Sequence, residues 1–538
     1  MHLKVTFHFE YMIDPAYYIP ELYDLKTHGR PSSYLVEAAT EYLISFLSSQ
    51  NKKKIYFDIN HADGDAIGSI VNLAILLEIL KVPYTIESYN SSYKLTFSAS
   101  RLPLNEMKAN LERDLEILYI VTDTTPWYPF YSDLEKFFSY PKANDKVGVM
   151  ILDHHPFIGG EEAKKIREIE REYEDFIYLN FGLSSDANVW WRGPNIPCAG
   201  EITFEISREV LKKLGKYELS TIKQFLIPTL LATYTDFRTE NFLNKIEDKE
   251  LKKTAENYTN IGTIKEYLGF TTYFDEFINM FNGGMRATGL KVGEELRTHS
   301  LTETQIGYSP THRLLKSAAA HVMLTAKVGN PMVLTRNPRD LGYSYENGYH
   351  LGEIIRADAE WEKIKSVARK AFLHYHLNRY IPRSDRVSYF NDTKSIMALL
   401  PKTQTVVSYR GTTIDLSKLL KYPPYIEFFF TAYRPIAEME IIRNSSLIIV
   451  GVESSKSDGY SEFSLRSNTP SVPVGRFASE IANRIRMEKK YPYHYAFGGG
   501  HETAAGLRIR QDVLDEFKKD YNHDVYSLIN ELIKGVRF

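Results

Sequence analysis

Between Lys53 and Asn180 short runs of β-branched and aromatic residues alternate with longer stretches of helical periodicity. The runs are KKIYFDIN, PYTIESY, LEILYIVTD, KVGVMILDHH and FIYLN. Interleaved in this way they predict βαβ units and a parallel sheet. Between the first two lies DAIGSIVNLAILLEIL, apolar enough for a buried crossover helix and ended by Lys81 and Pro83. GEITFEISREVLKKLGK and LSTIKQFLIPTLLATYTD predict helices that close the unit, the first with Gly215 at its C-cap. The expected fold class is α/β, with a doubly wound parallel-sheet domain over residues 1–242.

From 243 to 390 the pattern weakens. Charged helical pieces mix with polar stretches such as RTHSLTETQIGYSPTHR, which predicts a mainly helical middle region acting as linker or insertion. From 391 alternation returns: SLIIVGVES and YSEFSLRSN read as strands, RFASEIANRIRMEKK as a helix and FGGGHETAAG as a Gly-rich turn. A smaller C-terminal α/β domain over 391–538 follows. No internal repeat or low-complexity tract is present.

At 538 residues the chain exceeds what one core serves, in line with more than one domain. Hydrophobic residues at 43% and charged residues at 25% exclude a disordered or a membrane chain. No apolar run approaches the roughly 18 residues of a membrane span. The N-terminal MHLKVTFHFEYM has no secretory pattern, so a cytoplasmic protein is expected. The single cysteine, Cys198, excludes an internal disulfide and a thiolate zinc cage. A net charge of −2 provides no global field for duplex DNA, so nucleic-acid contact has to be local.

Acidic and imidazole side chains fall just past the predicted strand ends, where ligands bind in open parallel sheets. HADGDAIGS after the first strand carries His61, Asp63 and Asp65; LYIVTD ends in Asp123; MILDHH ends in Asp153, His154 and His155; the helix FLIPTLLATYTD ends in Asp236. Any one of these aspartates is accounted for as a helix or turn cap. Four such ends together, with adjacent histidines after a buried strand, point instead to divalent cations. Two ions a few ångströms apart activate water and neutralise a phosphate together.

In these motifs the sequence resembles the DHH phosphoesterases. HADGDAIGS, VTDTT, LDHHP and YTDF are similar, in order, to the family's first four motifs, and FGGGHETAAG preceded by FSLRSN resembles its DHH-associated domain. The resemblance implies a centre holding two Mn2+ ions, with Mg2+ as the alternative. Asp123 would bridge them, Asp63 would serve one, and Asp65, His154 and Asp236 the other. It further implies that His155 faces the phosphate, that Asp153 orients a ligand imidazole, and that Arg466, Gly498, Gly499, Gly500 and His501 hold the substrate. One departure stands out: where the family places a histidine ligand four residues before the first aspartate, this chain has Ile59. His61 and Asn60 are the substitutes that the loop offers.

Weaker features have plainer readings. Trp190 and Trp191 read as a surface anchor rather than a base-stacking pair, PCAGEITFEI as a capped core helix, and Arg476, Arg484, Arg486, Lys489 and Lys490 as a solvated helix face. The expected function is a RecJ-like exonuclease acting on an end of single-stranded nucleic acid. A phosphodiesterase or phosphatase acting on short oligonucleotides, pAp or cyclic dinucleotides is the alternative, favoured by the wording DGDAIGS, the charge balance and the placement of GGGH with only residues 507–538 after it. A non-catalytic relative that binds nucleic acid is supported only by the missing histidine.

Overall fold

The computed structural model describes residues 30–59, 63–87, 104–124, 146–155, 160–184, 196–236, 238–260, 262–265, 269–274, 310–336, 387–390, 395–400, 406–409, 412–415, 447–455, 460–467, 474–489, 495–500 and 504–521, with isolated positions between them. The five runs of the first half form β1 (Lys53–Asp58), β2 (Tyr84–Glu87), β3 (Glu116–Thr122), β4 (Val147–Asp153) and β5 (Phe176–Asn180). They pair in parallel in the order β2-β1-β3-β4-β5. The winding therefore reverses between β1 and β3, which opens a crevice at the C-terminal strand ends. Every residue of β3 and β4 is buried, as strands covered on both faces are.

One face of the sheet presents Ile55, Phe57, Leu118, Ile120, Met150, Leu152 and Leu179 to a core shared with α1 (Ser32–Ser48), α2 (Gly64–Leu80), α3 (Ala199–Lys213) and α4 (Leu226–Thr235). α2 is buried from Gly64 to Leu77, so it is wrapped by helices as well as by the sheet. It packs tightly on α4: a Cβ on Gly68 would run into the Pro228 carbonyl, and that approach is open only to glycine. Gly215 follows α3 with φ 65°, the left-handed cap expected of it.

The core does not stop at residue 242, the boundary expected from the pattern. Ile246, Leu251, Ala255, Phe274, Phe277, Phe281, Leu314, Leu315, Val322 and Leu334 belong to the same apolar cluster. The reason lies in α2 and β2. A helix this apolar and an edge strand both need covering, and α5 (Pro310–Val328) provides it. Lys316 Nζ binds Glu87 at 2.8 Å and Lys327 Nζ binds Glu78 at 2.7 Å. Part of the middle region is thus integral to the first unit, and as far as Thr335 its described elements are helical apart from the ribbon β6 (Gly262–Lys265) and β7 (Gly269–Thr272).

Toward the C-terminus a six-stranded mixed sheet has the order β14-β15-β13-β12-β9-β8. Its strands are β8 (Val387–Phe390), β9 (Ser395–Leu400), β12 (Leu447–Ser455), β13 (Tyr460–Ser467), β14 (Ala496–Gly500) and β15 (Ala504–Arg510); a hairpin of β10 (Val406–Tyr409) and β11 (Thr412–Asp415) is separate. β8 lies before the expected start at 391. Phe463, Leu465, Phe477, Ile481, Leu507, Ile509, Leu514 and Phe517 form a second core under α6 (Val474–Lys489) and α7 (Gln511–Tyr521). The glycines expected in a turn are strand residues, with Gly498, Gly499 and Gly500 opposite Leu507, Gly506 and Ala505. A Cβ at Gly498 would meet the Ala478 carbonyl at 2.6 Å, so glycine here lets α6 lie close to the sheet. Among the described residues no helix is long and apolar enough to cross a membrane.

Candidate metal centre

The connection from β1 to α2 places two aspartates. Asp63 is the N-cap of α2, and its Oδ1 accepts from the amides of Asp65 at 2.9 Å and Ala66 at 3.0 Å. Asp65, within the first turn, is buried and reaches across the chain: its Oδ2 accepts from Ala199 N at 2.9 Å and its Oδ1 from Gly200 N at 2.8 Å. It therefore sits on the exposed amides that open α3, where a negative charge is favoured. Cys198 is buried at the N-cap of that helix, with Glu201 Oε1 accepting from its amide at 3.4 Å. PCAGEITFEI is thus a capped core helix as read, and one that also touches the site.

Asp123 follows β3 in the left-handed region, with φ 59°. β4 ends in Asp153, His154 and His155 follow it, all three are buried, and Asp236 is the C-cap of α4. These elements converge on one atom. His154 Nε2 lies 3.0 Å from Asp123 Oδ1, 3.3 Å from Asp65 Oδ2 and 3.5 Å from Asp236 Oδ2. Two overlapping sets of donor atoms result, each spanning no more than 4.8 Å: Asp65, His154 and Asp236, and Asp123, His154 and His155. Asp63 belongs to neither set, although its charge is felt by Asp65 and Asp236.

Asp153 orients an imidazole, and it is that of His155. Its Oδ1 accepts from His155 Nδ1 at 2.7 Å and from the amides of His154 at 2.8 Å and His155 at 3.2 Å. A carboxylate opposite Nδ1 makes that nitrogen the donor and puts the lone pair of the neutral ring on Nε2.

The cluster holds more negative charge than it can neutralise. Burial, and then the neighbouring Asp123, push the Asp65 carboxyl up to about 6. Burial and the Asp65 charge raise Asp236 well above the carboxylate range. Burial opposes a charge on His154, but its hydrogen bonds to Asp123 and Asp65 outweigh this and raise it. One imidazolium cannot offset three carboxylates in a dry site. Asp236 Oδ2 is buried and has no hydrogen-bond donor among the described residues. Oxygen donors in excess, one imidazole nitrogen and an orphaned carboxylate oxygen suit a divalent cation.

Ile59 is buried in the apolar core, so the usual histidine position offers no ligand here. His61 and Asn60 lie outside the described residues, as do His501, Trp190 and Trp191. Arg466 is in β13, paired through its backbone with Val450 and Ala504. On α6, Arg484 pairs with Glu480 at 3.1 Å and Arg486 with Asn483, both half-buried, while the side chains of Arg476, Lys489 and Lys490 lie outside the described residues. Two groups near the centre escaped the sequence reading. Asn180 ends β5 beside Asp153, and the strand-end argument applied to the carboxylates would have found it. Glu201, buried, binds Arg238 Nε at 2.8 Å and Lys245 Nζ at 3.1 Å, tying the start of α3 to the turn after Asp236.

A parallel α/β sheet with aspartates and histidines gathered beyond β1, β3 and β4 defines a class of protein, one with a buried carboxylate–imidazole centre at the switch of its winding. No protein-family model matches the chain, and no curated protein is similar to it in sequence. Solved structures are similar. RecJ from Thermus thermophilus, in complex with Mn2+, is 13% identical with a TM-score of 0.38, over 93% of this chain and 55% of that one. An exopolyphosphatase-related protein from Bacteroides fragilis is 12% identical with a TM-score of 0.35, over 92% and 98%. CDC45 from Entamoeba histolytica is 12% identical with a TM-score of 0.36, over 92% and 99%. This chain spans 55% of the length of the Thermus RecJ chain.

Proposed function

We propose that the chain is a metal-dependent phosphoesterase of the DHH type, hydrolysing phosphodiester bonds from an end of single-stranded nucleic acid. The observation that carries the reading is the convergence of Asp65, Asp123 and Asp236 on His154 Nε2, beside a second imidazole held by Asp153. Asp65, His154 and Asp236 would hold one ion; Asp63 would serve another, with Asp123 shared between them. Mn2+ suits this donor set, with Mg2+ the alternative. The chemistry that such ions would supply when bound is activation of a water for attack and neutralisation of charge on the phosphate. His155 directs Nε2 at a phosphate oxygen while Asp153 fixes its ring. The buried walls exclude bulk water from these groups and so strengthen their electrostatics. Arg466, His501 and the amides of Gly498 to Gly500 hold the remainder of the substrate.

The net charge of −2 favours a second reading, in which the same centre cuts short oligonucleotides or small nucleotides. Incubation with Mn2+ and end-labelled single strands of about two and about thirty nucleotides separates the two, since a reach of several nucleotides per site is typical of single-strand binders. Stepwise shortening of the long strand supports the exonuclease. Turnover of the short one alone supports the alternative, and hydrolysis of neither would overturn both.

A further inference from the structure

We infer that Asn180, assisted by Tyr178, is a positioning residue that locks the tautomer and orientation of His155; the inference rests on His155 facing the substrate phosphate as proposed above. Asn180 ends β5 directly opposite Asp153 and is fully buried. Its Nδ2 donates to Tyr178 Oη at 2.7 Å and to the His155 carbonyl at 3.0 Å, and lies 3.3 Å from Asp153 Oδ2. Tyr178 Oη in turn points at Asp153 Oδ2 from 3.5 Å. The two carboxylate oxygens of Asp153 thus have separate duties: Oδ1 receives the His155 ring and the two histidine amides, and Oδ2 is anchored to β5. A buried carboxylate keeps one orientation only while both oxygens are satisfied. Losing the donors of β5 loosens the carboxylate on its Oδ2 side, and with it the imidazole that Oδ1 holds.

The backbone of His155 is held from the same side. Asn180 grips its carbonyl, and the following turn passes so close that a Cβ on Gly182 would meet the carbonyls of His154 at 2.6 Å and His155 at 2.9 Å. One strand end therefore fixes both the ring and the main chain of a single histidine.

Asn180 also has a plain structural duty, since its Oδ1 accepts from Gly182 N at 2.8 Å and so caps the turn Phe181–Leu183. Asn180→Asp separates the two roles. Aspartate has the same shape and caps as well as asparagine, but beside Asp153 it has at most one shared proton in place of the two Nδ2 hydrogens and cannot serve all the acceptors that Asn180 serves. Tyr178→Phe removes only the hydroxyl and provides a second, milder variant. With Mn2+ and a labelled single strand, Asn180→Asp is expected to lower kcat by roughly 10- to 100-fold, the range seen when partners of site histidines are removed. KM and the number of Mn2+ ions bound should stay within about twofold, and Tyr178→Phe should lose less. Full kcat in Asn180→Asp would reduce the residue to a cap, and loss of Mn2+ in step with kcat would make it part of the metal site; either result overturns the inference. If the wild type hydrolyses no phosphodiester, the functional reading fails by itself. The positioning role is then decided by nitrogen-15 NMR of the histidines in the metal-free protein, with His155→Gln to assign the signal. Wild type should show the single tautomer with hydrogen on Nδ1, and Asn180→Asp a mixture; an unchanged tautomer would overturn the inference.

Discussion

Asp123 combines two demands in one residue. Its carboxylate must lie 3.0 Å from His154 Nε2, and its backbone reaches that place only with φ 59°, a region that aspartate and asparagine tolerate better than other side chains. Asp123→Asn should abolish hydrolysis, by on the order of 10³-fold or more for the loss of a shared ligand worth several kcal/mol, and leave the circular dichroism unchanged. Asp123→Ala should lose the same activity and a further roughly 1–2 kcal/mol of stability from the left-handed backbone. Denaturant titration of the two metal-free variants checks this, and equal midpoints would remove the backbone argument. At this scale the residue types were readable from the sequence, because aspartate or histidine after an apolar strand stands out. Their partners were not. That Asp153 grips His155 and that Asp65 reaches the amides of Ala199 and Gly200 are matters of a few ångströms, invisible in the order of residues.

Among the elements, α3 and α4 are held together by charge as well as by apolar packing. Glu201 and Arg238 are both largely enclosed, so removing Glu201 takes a carboxylate partner from a guanidinium in a poorly solvated place. Glu201→Ala is expected to cost about 3–5 kcal/mol and to loosen the turn that carries Asp236. Glu201→Ala with Arg238→Met should recover much of the loss, as judged by denaturant midpoints of the single and double variants. No recovery would mean that the pair is not coupled. The strands and helices of the first half follow the hydrophobic pattern closely, since period and turn chemistry act within short windows. A further signal was present in α2, where Asp65, Ser69 and Asn72 repeat at helical spacing on an otherwise apolar helix. Asp65 and Asn72 mark its contact with α3 and α4, Asn72 Nδ2 donating to the Gly200 carbonyl at 3.0 Å and to Thr229 Oγ1 at 3.0 Å, while Ser69 Oγ meets Thr122 Oγ1 at the end of β3 at 2.6 Å.

On the scale of the whole molecule, the proposed metal and substrate roles fall on two different cores. The cluster of ligand-type residues belongs to the first, while Arg466 and the Gly498 to Gly500 strand belong to the sheet of the second. Arg466→Ala or His501→Ala should therefore raise KM severalfold at unchanged Mn2+ stoichiometry, and loss of bound metal in either variant would contradict that division. The docking of α5 on the first core should be acid-sensitive. His321 is buried with Nε2 donating to the Leu334 carbonyl at 2.9 Å, and burial pushes its pKa down from 6.5 to about 4. The unfolded chain then takes up a proton that the folded one refuses, so stability falls as pH drops from 6.5 towards 4, by roughly 3 kcal/mol in total. His321→Gln should flatten that slope in unfolding measurements across the same range; an unaltered slope would place the acid sensitivity elsewhere. The sequence by itself determined the parallel α/β character, the places of the strands and the side chains available for a metal centre, because each is written within a dozen neighbouring residues. Only the tertiary structure decided that the first core runs on to Leu334, that the GGG segment is a strand and that Asp65 closes the start of a helix 135 residues away. Those outcomes depend on which surfaces meet when apolar faces are covered and buried polar groups find partners, and the meeting residues lie far apart along the chain.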